Sequence, residues 1–191
     1  MKDLPFSFTV PSPGFKPSRF DNHIIRHLSD LKGQFADQDA YQAMMDEEDC
    51  VLYEVYEIRR PEKEGEILSG ISILRPGKVG DEFFMTKGHY HSVLETAEIY
   101  YCLNGEGFMV MENPEGETSV EPLSPGNVLY VPPRWAHRSV CTSRRENLVT
   151  FFAYPANAGH NYGTIEEKGF RKLVMDSPQG IQITDNPKFM D

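Results

Sequence analysis

Short apolar segments separated by turn signals occupy most of the chain after residue 50. Roughly ten of these segments are rich in β-branched and aromatic residues, which at regular spacing is typical of a β-sandwich or β-barrel. The turn signals between them are RPG, NG, NPEG, SPG and PP. The segments are VLYEVYEI, ILSGISILR, EFFMT, AEIYYCL, FMVME, NVLYV, HRSV, LVTFFAY, FRKLVM and GIQIT. This pattern predicts an all-β fold, a single β-barrel of the jelly-roll type with one or two short helices.

The N-terminal part of the chain has a different pattern. Prolines at positions 5, 11, 13 and 17 favour an extended arm. From position 37 to 49, DQDAYQAMMDEED places Tyr41, Met44 and Met45 at helical spacing behind a capping Asp37, which predicts a short helix. We therefore expect residues 1–48 to form an arm and a helix packed on the body or on a partner subunit. Residues 49–191 would form the barrel, within one domain overall.

The composition limits the possible partners. The 191 residues contain 19 Lys and Arg against 29 Asp and Glu, a formal net charge of −10. A surface this acidic repels nucleic acid and anionic lipid, so we expect neither as a partner. No apolar run approaches the length of a membrane span, and the opening residues lack the pattern of a secretion signal, so we expect a cytoplasmic protein. Three widely spaced cysteines form neither a disulfide framework nor a metal knuckle.

Histidines and one carboxylate stand out in TKGHYHSVLETAEIYYCLNGEG, residues 86–107. On a strand, His89 and His91 would point the same way, and Glu98 would share a face with Tyr100. Buried together, such groups are costly unless a cation pairs with them, and PGNVLYVPPRWAHRSV supplies His137 as a further ligand. Any one of these histidines alone would more simply be an ordinary packing residue. Their joint spacing favours one divalent metal per subunit, and Fe(II), Mn(II), Zn(II) or Ni(II) would each suit the ligand set.

These residues also carry a resemblance to a known family. The chain resembles the two cupin motifs at Gly80, His89, His91, Glu98 and Gly105, and then at Gly126, Pro132 and His137. The spacing departs from the general cupin pattern, but the stretches HLSDLKGQF, RPGKVGDEFFMTKGH and YPANAGHNYGTIEEKGF closely resemble the cupin-type glucose-6-phosphate isomerases. The resemblance extends from residue 25 to residue 190. It implies a cupin barrel, a homodimer, and interconversion of glucose 6-phosphate and fructose 6-phosphate in glycolysis or gluconeogenesis.

The residue types suit an aldose-ketose isomerase, which needs a phosphate site, a proton carrier and an electrophile. Glu98 is the candidate base for a cis-enediol mechanism, while a hydride shift steered by the metal stays open as the alternative. Tyr100 shares its face and would orient Glu98 or the substrate, and His160 would assist ring opening or contact the sugar. Thr86, Gly88 and Lys87 offer a hydroxyl, a backbone N–H and a charge to the phosphate. The resemblance implies a phosphate and sugar site at Tyr53, Ser72, Thr86, Gly88, Tyr154 and Tyr162.

Two other functions remain open from the sequence. Three histidines and one glutamate around Fe or Mn also serve oxygenases, so a cupin oxygenase is one alternative. A sugar-binding cupin without catalysis is the other. The isomerase hypothesis alone explains the hydroxyl-rich strands and the YPANAGHNYGT loop.

Overall fold

The structure is a computed structural model that describes residues 4–190. Its strands are β1 (Asn22–His27), β2 (Val51–Ile58), β3 (Ile67–Leu74), β4 (Lys78–Val79), β5 (Glu82–Phe83), β6 (Glu98–Asn104), β7 (Gly107–Glu112), β8 (Thr118–Leu123), β9 (Val128–Val131), β10 (Ala136–Cys141), β11 (Leu148–Pro155), β12 (Lys172–Ser177) and β13 (Gly180–Asp185). The α-helices are α1 (Gln38–Glu47) and α2 (Gly163–Lys168), and 3₁₀ turns occupy Leu28–Leu31 and Pro187–Phe189. The predicted all-β class with short helices is therefore confirmed.

The strands form three antiparallel sheets. The largest has six strands in the order β1-β2-β3-β11-β6-β9, the next has the order β13-β12-β5-β4, and the smallest has the order β10-β7-β8. Strands far apart in sequence are neighbours, as β3 and β11 are, because the chain crosses repeatedly from one sheet to another. This arrangement is compatible with the predicted jelly roll.

Strand β6 shows how the sequence selects the inner face of the large sheet. Glu98, Tyr100 and Cys102 are buried, whereas Ile99 and Tyr101 are more than two-fifths exposed. Because side chains alternate along a strand, one register places Glu98 and Tyr100 together in the interior. The same core takes buried side chains from the other two sheets as well. The carboxylate of Glu98 is thus directed into the interior of the molecule.

The helix predicted behind Asp37 is present as α1. The Asp37 carboxylate accepts a hydrogen bond from the backbone N–H of Ala40 at 2.8 Å, which satisfies one of the free donors at the start of the helix. Tyr41 is buried and anchors the helix to the body. Among the described residues, no helix is long and apolar enough to cross a membrane.

The N-terminal residues contribute directly to the body. Strand β1 pairs with β2, and Leu28 and Phe35 are fully buried in the main core. Nearer the N-terminus, Val10 and Phe15 pack against a second apolar cluster on the opposite face of the large sheet. The segment expected to be an arm and a helix therefore also supplies an edge strand.

The structure differs from the predicted strands at several points. His89 and His91 were expected on a strand, and this is wrong: His89 and Tyr90 form only isolated bridges, with His137 and Asn161. The predicted strand EFFMT is reduced to β5, and Met85 instead forms an isolated bridge with Val140. Strands β1, β4 and β8 were not predicted. Strand β4 has only two residues, and the segments of β1 and β8, NHIIRH and TSVEPL, are largely polar, the second with a proline.

Replacing Phe35 by Ala is expected to lower the free energy of unfolding by about 3 kcal/mol or more, because a fully buried ring would leave a cavity. Urea denaturation followed by circular dichroism measures this. Phe6→Ala is the control: Phe6 is 41% exposed and its ring face lies against the guanidinium groups of Arg19 and Arg60, so its loss should cost less than about 1 kcal/mol. Equal small effects would show that the segment around Phe35 does not contribute to the core.

Candidate active site

Four side chains converge in the interior: His89, His91, Glu98 and His137, whose nearest ligand atoms all lie within 4.8 Å of one another. Glu98 Oε2 lies 3.1 Å from His91 Nε2 and 2.9 Å from His137 Nε2. Paired backbone hydrogen bonds hold His89 beside His137, with N···O distances of 3.3 and 3.1 Å. The structure therefore brings together all four residues that the sequence predicted as metal ligands.

The donor set fits a divalent cation. The Nε2 atom of His89 is buried and has no hydrogen-bond partner among the described residues. Burial, with His137 and His160 nearby, holds the pKa of His89 well below its ordinary value, so its imidazole is neutral as a ligand must be. Burial alone would raise the pKa of Glu98, but the neighbouring imidazoles of His137, His91 and His89 hold it well below its ordinary value. Three imidazoles facing one carboxylate are typical metal ligands.

Backbone and side-chain oxygens behind the histidines orient two of the rings. Nδ1 of His91 lies 2.9 Å from Thr96 Oγ1 and 3.1 Å from the Thr96 carbonyl oxygen. Nδ1 of His137 lies 3.3 Å from the carbonyl oxygen of Trp135. Such contacts fix the tautomer and leave the Nε2 atoms to face the site. Thr96 was not predicted, although its place in the turn between His91 and Glu98 was a signal for it.

A cavity of 470 Å³ opens onto this cluster. Of the predicted site residues, only His91 is absent from its wall, although its Nε2 lies 3.1 Å from Glu98 Oε2. The wall includes the predicted catalytic and substrate residues Tyr53, Ser72, Thr86, Lys87, Gly88, Tyr100, Tyr154, His160 and Tyr162. The cavity therefore joins the metal-ligand cluster to a wall rich in hydroxyl groups.

Tyr100 and His160 flank the cluster on two sides. Burial and the Glu98 carboxylate raise the pKa of Tyr100 well above its ordinary value, so its hydroxyl keeps its proton and can donate it in a hydrogen bond. The ring of His160 lies 4.2 Å from that of His89, and its Nε2 is 3.4 Å from the hydroxyl of Tyr154. Burial lowers the pKa of His160. Both residues thus present neutral polar groups to the cavity.

The loop of residues 86–88 is held in a fixed conformation against the cavity. Tyr53 Oη accepts a hydrogen bond from the backbone N–H of Lys87 at 3.3 Å, and Thr86 Oγ1 accepts one from the N–H of Ser139 at 3.0 Å. The Thr86 hydroxyl therefore keeps its own proton available for a ligand. Gly88 has a φ of +75°, and a Cβ there would lie 2.5 Å from the Phe170 ring, so only glycine fits.

Arg138 supports this loop from beneath and was not predicted from the sequence. It is fully buried, and its Nη2 donates to the Lys87 carbonyl oxygen at 2.7 Å and to Gln34 Oε1 at 2.5 Å. Burial lowers the pKa of Arg138 to about 10, so it stays charged at neutral pH. Its position next to His137 along β10 links the loop to the metal-ligand cluster.

Four other charged residues at the cavity wall were also missed: Arg26, Glu57, Arg59 and Glu62. Arg26 lies on β1, within the segment predicted to be an arm. The apolar pair in NHIIRHL was the available signal for this strand, but it is too short to be decisive.

The chain is similar to known proteins in both sequence and structure. The family described as Glucose-6-phosphate isomerase (GPI) matches residues 25–189. The glucose-6-phosphate isomerase of Thermococcus gammatolerans is 51% identical over 166 residues, covering 87% of each chain. The glucose-6-phosphate isomerase of Thermococcus litoralis is 49% identical over 165 residues, covering 86% of each chain. Among solved structures, an oxalate decarboxylase superposes with a TM-score of 0.45 at 23% identity, over 54% of this chain and 26% of that chain.

Proposed function

The chain belongs to the glucose-6-phosphate isomerase family, and from this premise we propose that the cavity is the site where it interconverts glucose 6-phosphate and fructose 6-phosphate. The family match confirms the resemblance found in the motifs. One observation carries the assignment of the site: three imidazoles and a carboxylate meet at one wall of a cavity whose other walls carry hydroxyl groups. That pairing suits a sugar phosphate that must be both held and polarised.

His89, His91, Glu98 and His137 would hold one divalent cation per subunit, with Fe(II) or Mn(II) favoured over Zn(II) or Ni(II). When bound, such an ion acts as a Lewis acid on the oxygens of the substrate. The ligand set alone does not choose among these four metals.

Glu98 is the proposed base. Its carboxylate is fully buried and ionised, so it can take a proton from C2 of glucose 6-phosphate or C1 of fructose 6-phosphate. Returning that proton to the neighbouring carbon completes the isomerisation through a cis-enediol. The alternative is direct transfer of hydride between the two carbons, in which Glu98 carries no proton.

Tyr100 and His160 would assist Glu98. The protonated Tyr100 hydroxyl beside Glu98 orients the carboxylate or a sugar hydroxyl by donating a hydrogen bond. His160, hydrogen-bonded to Tyr154 and stacked beside Tyr162, stands where it can contact the ring oxygen during ring opening. Both are proposed as catalytic residues.

The phosphate and the sugar hydroxyls would be bound mainly by neutral groups. Tyr53, Thr86 and Gly88 adjoin one another at the fixed loop, and Ser72 faces the cavity from β3. Tyr154 and Tyr162 complete the wall near His160. Lys87 is also proposed as a contact, although its Nζ now lies 2.6 Å from Glu166 Oε1. Neutral donors can bind an anionic substrate by hydrogen bonds alone, so an acidic protein needs no change in its net charge to form this site.

We propose that the protein is a cytoplasmic homodimer, with residues 1–48 on the barrel of residues 49–191. An apolar patch supports the dimer: Ile99 pairs with Tyr130, and Tyr101 pairs with Val128, across strands β6 and β9. These four side chains are 42–65% exposed on the outer face of the large sheet. A contiguous patch of this kind is typical of a protein interface.

The test is the initial rate of conversion of fructose 6-phosphate to glucose 6-phosphate by purified protein supplied with Mn(II) or Fe(II), measured beside oxygen uptake. We expect isomerisation without oxygen consumption. Oxygen uptake without isomerisation would instead identify an oxygenase. Binding of the sugar phosphate with neither reaction would leave a sugar-binding module.

A further inference from the structure

Arg26 belongs neither to the two cupin motifs nor to the proposed phosphate site. Strand β1 pairs with β2 so that Arg26 lies opposite Tyr53, and both residues line the cavity. The guanidinium has Tyr53, Asp30 and Tyr162 as its electrostatic neighbours. Arg26 therefore has as neighbours two tyrosines that are proposed to contact the substrate, Tyr53 and Tyr162.

The other cations around the cavity are already engaged. Lys87 Nζ lies 2.6 Å from Glu166 Oε1, and Arg59 Nε lies 2.8 Å from Glu57 Oε2. Arg138 is fully buried beneath the loop and donates to Gln34 and to the Lys87 carbonyl. By contrast, the one carboxylate paired with Arg26 among the described residues is Asp30, at a longer distance of 3.5 Å from Nη1 to Oδ1; its other polar neighbour is the Tyr53 hydroxyl, and its side chain is 34% exposed.

We propose that Arg26 is the cationic partner of the substrate phosphate and sets the preference of the site for phosphorylated sugars. This inference rests on the proposed function of the cavity. A guanidinium can donate two parallel hydrogen bonds to one phosphate, which a single hydroxyl cannot do. In a chain of net charge −10, one such group placed at the cavity offsets the repulsion that a dianion would otherwise meet.

The adjoining contacts link Arg26 to the loop of residues 86–88. Tyr53 Oη, which interacts with Arg26, also accepts the hydrogen bond from the N–H of Lys87. A phosphate seated at Thr86 and Gly88 would therefore lie near the guanidinium. Because Asp30 lies on the 3₁₀ turn that follows β1, the Arg26–Asp30 contact would orient the side chain before the substrate arrives.

The experiment compares Arg26→Gln with Arg59→Gln, its matched control on the same cavity wall. For Arg26→Gln we expect the KM for fructose 6-phosphate and the inhibition constant of inorganic phosphate to rise about 10- to 100-fold, with kcat nearly unchanged, because the lost contact serves binding of the ground state and transition state alike. Turnover of unphosphorylated fructose should not change. Arg59→Gln should leave all three quantities near their wild-type values.

Calorimetric titration of inorganic phosphate into both variants and the wild type separates this inference from the proposed function. If the wild type binds phosphate but does not isomerise sugars, the proposed function fails while Arg26 is still tested. Equal phosphate affinity in the wild type and Arg26→Gln would overturn the inference, as would a loss confined to kcat. Should Arg26→Gln not fold, Arg26→Lys replaces it: the charge stays but the two-bond geometry is lost, and unchanged phosphate affinity would contradict the proposal.

Discussion

Glu98→Gln is expected to lower kcat for isomerisation of fructose 6-phosphate by about 10²- to 10⁴-fold, the range associated with loss of a positioned acid or base. Glutamine has nearly the same shape but cannot take a proton from carbon. Its amide oxygen can still face His91 and His137, which now lie 3.1 and 2.9 Å from the carboxylate. The fold and part of the metal content should therefore survive the change, so that the loss is one of chemistry.

The control is Glu112→Gln. Glu112 is also a buried carboxylate, and it accepts a hydrogen bond from the N–H of Arg171 at 2.7 Å, but it does not line the cavity. Its amide analogue keeps an acceptor oxygen, and kcat should stay close to the wild-type value. Turnover in deuterium oxide adds a second measurement: an enediol path with Glu98 as base places solvent deuterium on the product carbon in each turnover in which the Glu98 proton exchanges with solvent, whereas a hydride shift places none. Product without deuterium, together with near-normal kcat in Glu98→Gln, would favour the hydride shift.

The four proposed metal ligands could be predicted from the sequence because the spacing between them follows the alternation of side chains along extended segments. Alternation along β6 predicts that Glu98 and Tyr100 face inward together, and the structure buries both. The turn before His137 predicts a short strand, and β10 begins one residue earlier. The strand geometry predicted for His89 and His91 is wrong, yet both still face Glu98, because single backbone bridges hold the extended segment in place.

The cavity residues that the sequence did not predict are held in place by contacts with residues far away along the chain. Arg138 is charged and fully buried, and its acceptor Gln34 is 104 positions away, so nothing local predicts the pair. Arg26 reaches the cavity only because β1 pairs with β2, across a turn and a helix. The polar alternation of NHIIRH suits an exposed segment as well as an edge strand. The wall of the cavity therefore follows from tertiary pairing, whereas the ligand cluster follows from local spacing.

Treatment with a chelator, to remove the proposed metal, is expected to reduce isomerase activity more than about 100-fold, and Mn(II) or Fe(II) should restore it, because a Lewis acid contributes several kcal/mol to stabilising developing charge on oxygen. Chelation should also lower stability. A cation that binds only the folded chain, at a thousand times its dissociation constant, adds about 4 kcal/mol to the free energy of unfolding. Metal analysis, activity and thermal unfolding of the same samples measure the three effects together.

His137→Gln and His23→Gln distinguish the cluster from histidines elsewhere. His137 is one of the four converging donors, so its replacement should lower the metal content well below one ion per chain, whether or not the protein is active. His23 pairs with Glu54 at 2.9 Å on the edge of the large sheet, away from the cavity, and its replacement should leave the metal content unchanged. Full activity in metal-free protein would remove the metal from the reaction. Equal metal content in both variants would place the ion elsewhere, because a buried cluster that loses one of four donors cannot hold its cation with the same affinity.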